Sequence, residues 1–208
     1  MKKYDFPMIL PAILVHVSER LSFFVGRIKF VIICAIWGVK HSGSGMFSGP
    51  TVIRNTHKGQ IVLGNKVTFI SRVVQSMVGI TNPTILDTRW GGQIVVGDCS
   101  GFSSVVMSSK TRIAIGSRVE CGANVRIFDH DFHALESTYR WTKEDVPHVR
   151  SKAITIDDDV FIGANSTILK GTHIGARSIV AAGSVLFGIS VPPDSMVKGN
   201  PAVIVGHK

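Results

Sequence analysis

Residues 156–186 read IDDDVFIGANSTILKGTHIGARSIVAAGSVL, and this stretch decides the fold. Ile156, Ile162, Ile168, Ile174, Val180 and Leu186 recur every six positions, and all are aliphatic. In a chain that is 45% hydrophobic, six such residues in one phase have a chance of roughly 0.01, before allowing for the choice of phase. A second rule accompanies the first. The residue four after each aliphatic is Val160, Ser166, Thr172, Ser178 or Ser184, always small or β-branched, and Gly163, Gly175 and Ala181 directly follow theirs. Short strands joined by tight turns satisfy both rules: the aliphatic fills an interior, and the small residue lets the backbone turn a corner. Three such units make one triangular coil.

Working outward, the phase is readable again at Ile115, Cys121 and Ile127, at Val96 and Phe102, and at Leu63 and Phe69. The breaks near 75–94 and 128–153 are expected to be insertions. Coils that stack strand on strand at about 4.8 Å bury their aliphatics only against neighbouring coils, so interruptions must leave the solenoid as surface loops. Such loops commonly carry function.

The N-terminal part has a different texture. Residues 6–39 are strongly apolar, yet the longest apolar run uninterrupted by Pro, Gly or a polar residue, Phe30 to Trp37, falls well short of the roughly 20 residues that cross a bilayer, and no small-residue cleavage pattern follows it. Leu21, Phe24, Ile28, Val31 and Ala35 keep a three-and-four spacing with Ser22, Arg27 and Lys29 off that stripe, which predicts one or two amphipathic helices. The stripe is expected to pack on the main domain or on a neighbouring subunit. The alternative is peripheral membrane contact through 6–39, with Arg27, Lys29 and Lys40 meeting anionic lipid. The expected organisation is therefore an apolar, helical segment over 1–45 and a β-helix domain over 46–208 that carries the inserted loop 128–153.

The formal charge is +9, from 23 Lys and Arg against 14 Asp and Glu, which favours anionic partners. Basic residues are scattered singly or in pairs with no aromatic-basic motif, so no nucleic-acid partner is expected and a phosphate-bearing ligand suits the charge better. Cys34, Cys99 and Cys121 form neither a disulfide framework nor a zinc spacing, which points to a reducing compartment. Cys121 falls on an apolar repeat position and reads as an inert buried thiol.

Chemistry concentrates in IFDHDFHALESTYR, residues 127–140, inside the second insertion. Histidine titrates near neutrality and serves well as a general base, so His130 and His133 are candidates, with Asp129, Asp131 and Glu136 as carboxylate partners. Asp131 is preferred among the three. His130, Asp131 and His133 are also metal-ligand types, but no fourth ligand is evident, so no metal is expected. A solvated polar turn without chemistry is the bland reading.

The repeat, the tail VPPDSMVKGNPA (191–202) and the interrupting DHDFHALE (129–136) resemble the hexapeptide-repeat acyltransferases over residues 60–205, most closely the maltose and galactoside O-acetyltransferases and related sugar acetyltransferases of polysaccharide biosynthesis clusters. The resemblance implies a left-handed parallel β-helix, a handedness the period alone does not supply. It implies an acetyl-CoA-dependent O-acetyltransferase acting on a sugar or glycan hydroxyl. In that family the base follows an Asn-Val-x-Ile run. Here NVRI at 124–127 precedes HALE at 133–136, which puts His133 on the base, with Ala134 where Pro is usual and Glu136 where Asp is usual. A main-chain amide would steady the oxyanion.

The resemblance further implies that Gly163, Ala164 and Ala182 line the pantetheine arm of acetyl-CoA, that Lys198 lies near its phosphates, and that a homotrimer forms its sites between cytoplasmic subunits, with the inner face of the membrane as an alternative location. Arg89, Trp90, Asn124 and Tyr139 are expected on the acceptor side, with Trp141 as a further aromatic. The tail departs from the pattern. Leu186 and Phe187 stand where Thr and Lys are common, and Val203 stands where a basic residue is usual, leaving Lys170, Arg177, Lys198, His207 and Lys208 as replacement charge. Two alternatives follow: an amino-sugar N-acyltransferase of the same fold, or a non-catalytic β-helix scaffold.

Overall fold

The computed structural model describes residues 6–56, 58–73 and 78–207, with side chains from residue 13 to residue 206. A single helix, α1 (Phe6–Trp37), is followed by short strands that fall into three sheets. Pairing within each sheet is parallel from coil to coil, and successive strands move to the next sheet in turn, so the chain winds as a left-handed parallel β-helix with three faces. One strand breaks the rule: Ala202–His207 returns antiparallel on Ser195–Gly199 and closes the C-terminal end.

Inward side chains stack in columns because the strand register is in step from coil to coil. On the first face Ile61, Ile94, Ile113 and Ile154 pair in sequence. On the third, Ile53, Leu86, Met107, Ile127, Ile168 and Leu186 do the same. All are buried. Each contributes about 1.5–3 kcal/mol by leaving water, and strand alternation turns every second residue inward, two in each of the first-face strands from Gln60–Leu63 to Ile154–Ile156. The small residues four after each aliphatic are buried at the corners, where Ser166 Oγ donates to the Ala181 carbonyl at 3.1 Å and Ser178 Oγ to that of Pro192 at 3.0 Å. The six-residue rule thus marks both wall and corner. Cys121 lies in the second-face column between Phe102 and Ile162, and burial raises its thiol pKa.

The first coil begins at Lys40, ahead of the stretch the resemblance covers, with strands Lys40–His41, Gly45–Ser48 and Thr51–Arg54. The expected 75–94 interruption is narrower than its spacing suggested, because strand Thr84–Asp87 and the start of Gln93–Val96 fall inside it. Leu86 is fully buried, but its separation from Phe69 is not a multiple of six, which hides its phase. Residues 75–77 lie outside the described residues.

α1 crosses the N-terminal end of the coils. Phe30 sets its ring 5.2 Å from Phe47, which stacks 5.1 Å from Phe69 and then 4.9 Å from Phe102. These spacings equal one coil rise, so Phe30 fills the rung that would precede the first coil. The packed ridge of α1 is Ser22, Gly26, Phe30 and Cys34, not the apolar stripe Leu21, Phe24, Ile28, Val31 and Ala35, which faces outward. Close approach explains the choice: a Cβ on Gly26 would stand 2.8 Å from Met46 Cγ, so only glycine lets the helix meet the Gly45–Ser48 strand. Among the described residues no helix is long and apolar enough to cross a membrane.

Candidate active site

The second insertion leaves the body between Arg126–Phe128 on the third face and Ile154–Ile156 on the first. Its two feet pair with each other: Asp131 N donates to Arg150 O at 3.0 Å and Lys152 N to Asp129 O at 2.8 Å. Buried Asp129 fastens this stalk to the coil below, its carboxylate accepting from Lys110 N at 2.7 Å, Thr111 N at 2.9 Å and Ser109 Oγ at 2.7 Å. The Lys110 ammonium holds the returning limb, donating to the carbonyls of Val146 at 2.9 Å and Val149 at 3.0 Å. A regular coil cannot supply such an arm. The insertion breaks step to build one.

On that arm His133 is exposed, and its Nδ1 is 2.7 Å from Asp145 Oδ2. The same carboxylate accepts from Ala134 N at 2.6 Å. These two bonds, His133 first, hold the Asp145 carboxyl below the usual carboxylate range. An ionised carboxylate only accepts, so Nδ1 carries a proton, and in the neutral ring Nε2 is left with the lone pair. The carboxylate in contact with His133 is therefore Asp145 and not Asp131, the preferred sequence candidate. Asp131 Oδ1 is taken by the Lys170 ammonium, while Glu136 pairs with Arg150.

His130 has another character. It is 4% exposed, its Nε2 lies 3.3 Å from Ser108 Oγ, and rings of Trp90 and Phe132 pack on it at 4.6 and 4.8 Å. Burial lowers its pKa, against the pull of Asp129, so the ring is neutral at neutral pH. Its Nδ1 and the Oδ2 of Asp131 are buried without partners. Both residues line a cleft of about 480 Å³ together with His133, walled by Phe128, Phe132, Trp141 and Leu169 and carrying Arg140. Its mixture of rings, charged side chains and an exposed imidazole suits a small polar molecule with an apolar face.

The other expected site residues lie apart from this cleft. Trp90 packs behind His130, and Arg89 is held by Asp87 at 3.1 Å. Tyr139 stacks on His148 at 3.6 Å and stiffens the arm. Asn124 is buried, accepting from Thr81 N and Oγ1 and donating to the Gly79 carbonyl and Asn165 Oδ1, so it fastens the first insertion. Gly163, Ala164 and Ala182 sit at the corner between the second and third faces, across the third face from the arm. A Cβ on Gly163 would stand 2.4 Å from Ala182 N, so the next coil already requires that glycine. Lys198 is exposed without an ion pair among the described residues, whereas Arg177 is held by Asp194 and Lys170 lies 4.9 Å over the Phe187 ring. The side chain of His207 and all of Lys208 lie outside the described residues. Asp145 and Arg140 escaped sequence reasoning because no periodicity governs an irregular loop, and only its folding brings Arg140 to the cleft and Asp145 to His133.

The six-residue coils and the three parallel faces make a left-handed parallel β-helix, and an arm leaves it between the third face and the first. Residues 153–187 match the hexapeptide repeat of succinyl-transferase. The chain is 35% identical over 97 residues to the "Putative acetyltransferase YvoF" of Bacillus subtilis (strain 168), covering 47% of this chain and 49% of that protein. It is 30% identical over 105 residues to the "Putative lipopolysaccharide biosynthesis O-acetyl transferase WbbJ" of Escherichia coli (strain K12), covering 49% and 53%. The matched region thus spans about half the length of these curated relatives. The crystal structure of the hexapeptide-repeat-containing acetyltransferase VCA0836 from Vibrio cholerae O1 biovar eltor, complexed with acetyl coenzyme A, superposes with a TM-score of 0.58 at 25% identity over 99% of this chain and 93% of that one.

Proposed function

We propose that the chain is an acetyl-CoA-dependent O-acetyltransferase acting on a sugar or glycan hydroxyl, with His133 as general base. The observation that carries this reading is the 2.7 Å contact of His133 Nδ1 with Asp145, which leaves Nε2 as a proton acceptor at an exposed cleft. The likeness to YvoF, WbbJ and the acetyl coenzyme A complex of VCA0836 supports the reaction class. Acetyl-CoA supplies an activated acyl thioester. As the acceptor oxygen bonds to the acyl carbon, His133 Nε2 takes the hydroxyl proton, and as the C–S bond breaks the imidazolium returns that proton to the sulfur. Asp145 holds the productive tautomer and offsets the transient positive charge. The rings of Phe132 and Trp141 suit the apolar face of a sugar, and the polar lining residues Asp131 and Arg140 suit its hydroxyls.

The donor residues Gly163, Ala164, Ala182 and Lys198 stand at another corner of the same protomer, which supports a homotrimer whose clefts are completed by a neighbour's corner. The same reading puts the reaction in the cytoplasm, where the donor is made. One observation favours amino-sugar N-acylation instead: the cleft lining includes a carboxylate, Asp131, a group that suits an ammonium. Lys170 already neutralises that carboxylate, which leaves the hydroxyl reading ahead. The test is thiol release from acetyl-CoA with matched panels of sugars and amino sugars. Release with neutral sugars that disappears in His133→Ala supports the proposal, and release unchanged by that substitution overturns the base. Absence of any coenzyme A binding by calorimetry would instead favour a scaffold.

A further inference from the structure

The outer face of α1 breaks a rule that solenoid ends normally obey. Capping elements present a polar outer face to water. Here Phe30 closes the coil interior, and on the opposite side of the helix Leu14, Val17, Leu21, Phe24, Ile28 and Val31 form a continuous exposed stripe. Leu21 and Phe24 are 61% and 63% exposed, so neither contributes to the core. The acid of residues 13–37, Glu19, lies off this stripe. An uncovered apolar strip of this length marks a contact surface.

The flanks say what covers it. On one side of α1 a cleft of about 520 Å³ between helix and first coil is lined by Lys29 and Arg72 with the hydroxyls of Ser22 and Ser48. On the other side a second cleft, of about 410 Å³, is lined by Arg27 and Lys66 with Ser44 and Thr68. Neither lining includes a carboxylate, and none of the four cations forms an ion pair among the described residues. We infer that this end of the β-helix docks on an anionic lipid bilayer, the stripe entering the headgroup boundary while the two basic clefts receive lipid phosphates. An interfacial helix combines these two features, an apolar face and bordering Lys or Arg. A second copy of the chain is the poorer occupant: a two-fold contact through the stripe would bring the same four cations together with no acid to meet them.

Flotation of the full-length protein with two kinds of vesicle tests this, one of phosphatidylcholine alone and one of phosphatidylcholine with phosphatidylglycerol at three to one. Light scattering gives the mass without lipid. The wild type is expected to float with the mixed vesicles and about tenfold less with the neutral ones, and added salt should release it. Leu21→Ser/Phe24→Ser should lose roughly tenfold or more in binding with an unchanged melting temperature, since both side chains are exposed. Arg27→Glu/Lys66→Glu should weaken binding to mixed vesicles only. No flotation of the wild type, equal flotation with both vesicles, or undiminished binding by the Leu21/Phe24 variant would each overturn the inference. A lipid-independent fall in mass on that substitution, without flotation, would assign the stripe to a second copy.

Discussion

Asp145 accepts from His133 Nδ1 at 2.7 Å across a separation of 12 residues, and the backbone amide next to that histidine donates to its other oxygen at 2.6 Å. One carboxylate therefore holds both the ring and the turn that presents it. Asp145→Asn keeps the size of the side chain but can donate to Nδ1, which favours the tautomer with the proton on Nε2. The expected result is a loss in kcat of about 10²-fold or more with KM little changed, against about 10²–10⁴-fold for His133→Ala. Steady-state kinetics with an accepted sugar check it.

His130 provides a pH signature separate from catalysis. Its folded pKa lies below the ordinary value of 6.5 because burial disfavours the charged ring. The unfolded chain therefore binds more protons in the window from 6.5 down to the folded pKa, so stability is complete above 6.5 and declines as pH falls through that window. Melting temperatures across this range should drop in the wild type. In His130→Gln this component should vanish, leaving a shallower profile.

Asp129 tests whether the arm depends on its anchor. Asp129→Ala strands Lys110 N, Thr111 N and Ser109 Oγ, each at a cost of about 1–3 kcal/mol if left dry. Hydrogen exchange should accelerate across 129–152 while the coils from Ile154 onward keep their protection. Transferase activity should fall with the arm released, although Asp129 lies outside the cleft lining.

Phe30→Ala opens the capped end of the phenylalanine ladder. A buried Phe→Ala change costs about 3–5 kcal/mol, or roughly 6–20 °C in melting temperature for a chain of this size. Phe24→Ala, six residues earlier on the exposed face of the helix, should change stability by less than about 0.5 kcal/mol. Equal effects would mean that the helix packs by its other side.

The coils were legible because each inward aliphatic sees the same neighbours as the one six positions on, so the interior imposes its period directly on residue type from Ile156 to Leu186. The phase vanished near Leu86 only because a preceding insertion is free in length. The helix shows a different limit. Periodicity grouped Leu21, Phe24, Ile28 and Val31 on one face correctly, but a shared face is not a buried face. Packing went to Ser22, Gly26, Phe30 and Cys34 because their small members admit the strand and Phe30 fits the open end.

The sequence by itself determined the three-faced solenoid, its second interruption and the histidine pair carried there, since these follow from local spacing and residue chemistry. Tertiary structure decided which carboxylate orients His133, which histidine is buried and neutral, and which side of α1 meets the coils. Those outcomes depend on contacts between segments with no fixed spacing, where the path of a loop and the room left at a solenoid end select one partner among several chemically equivalent ones.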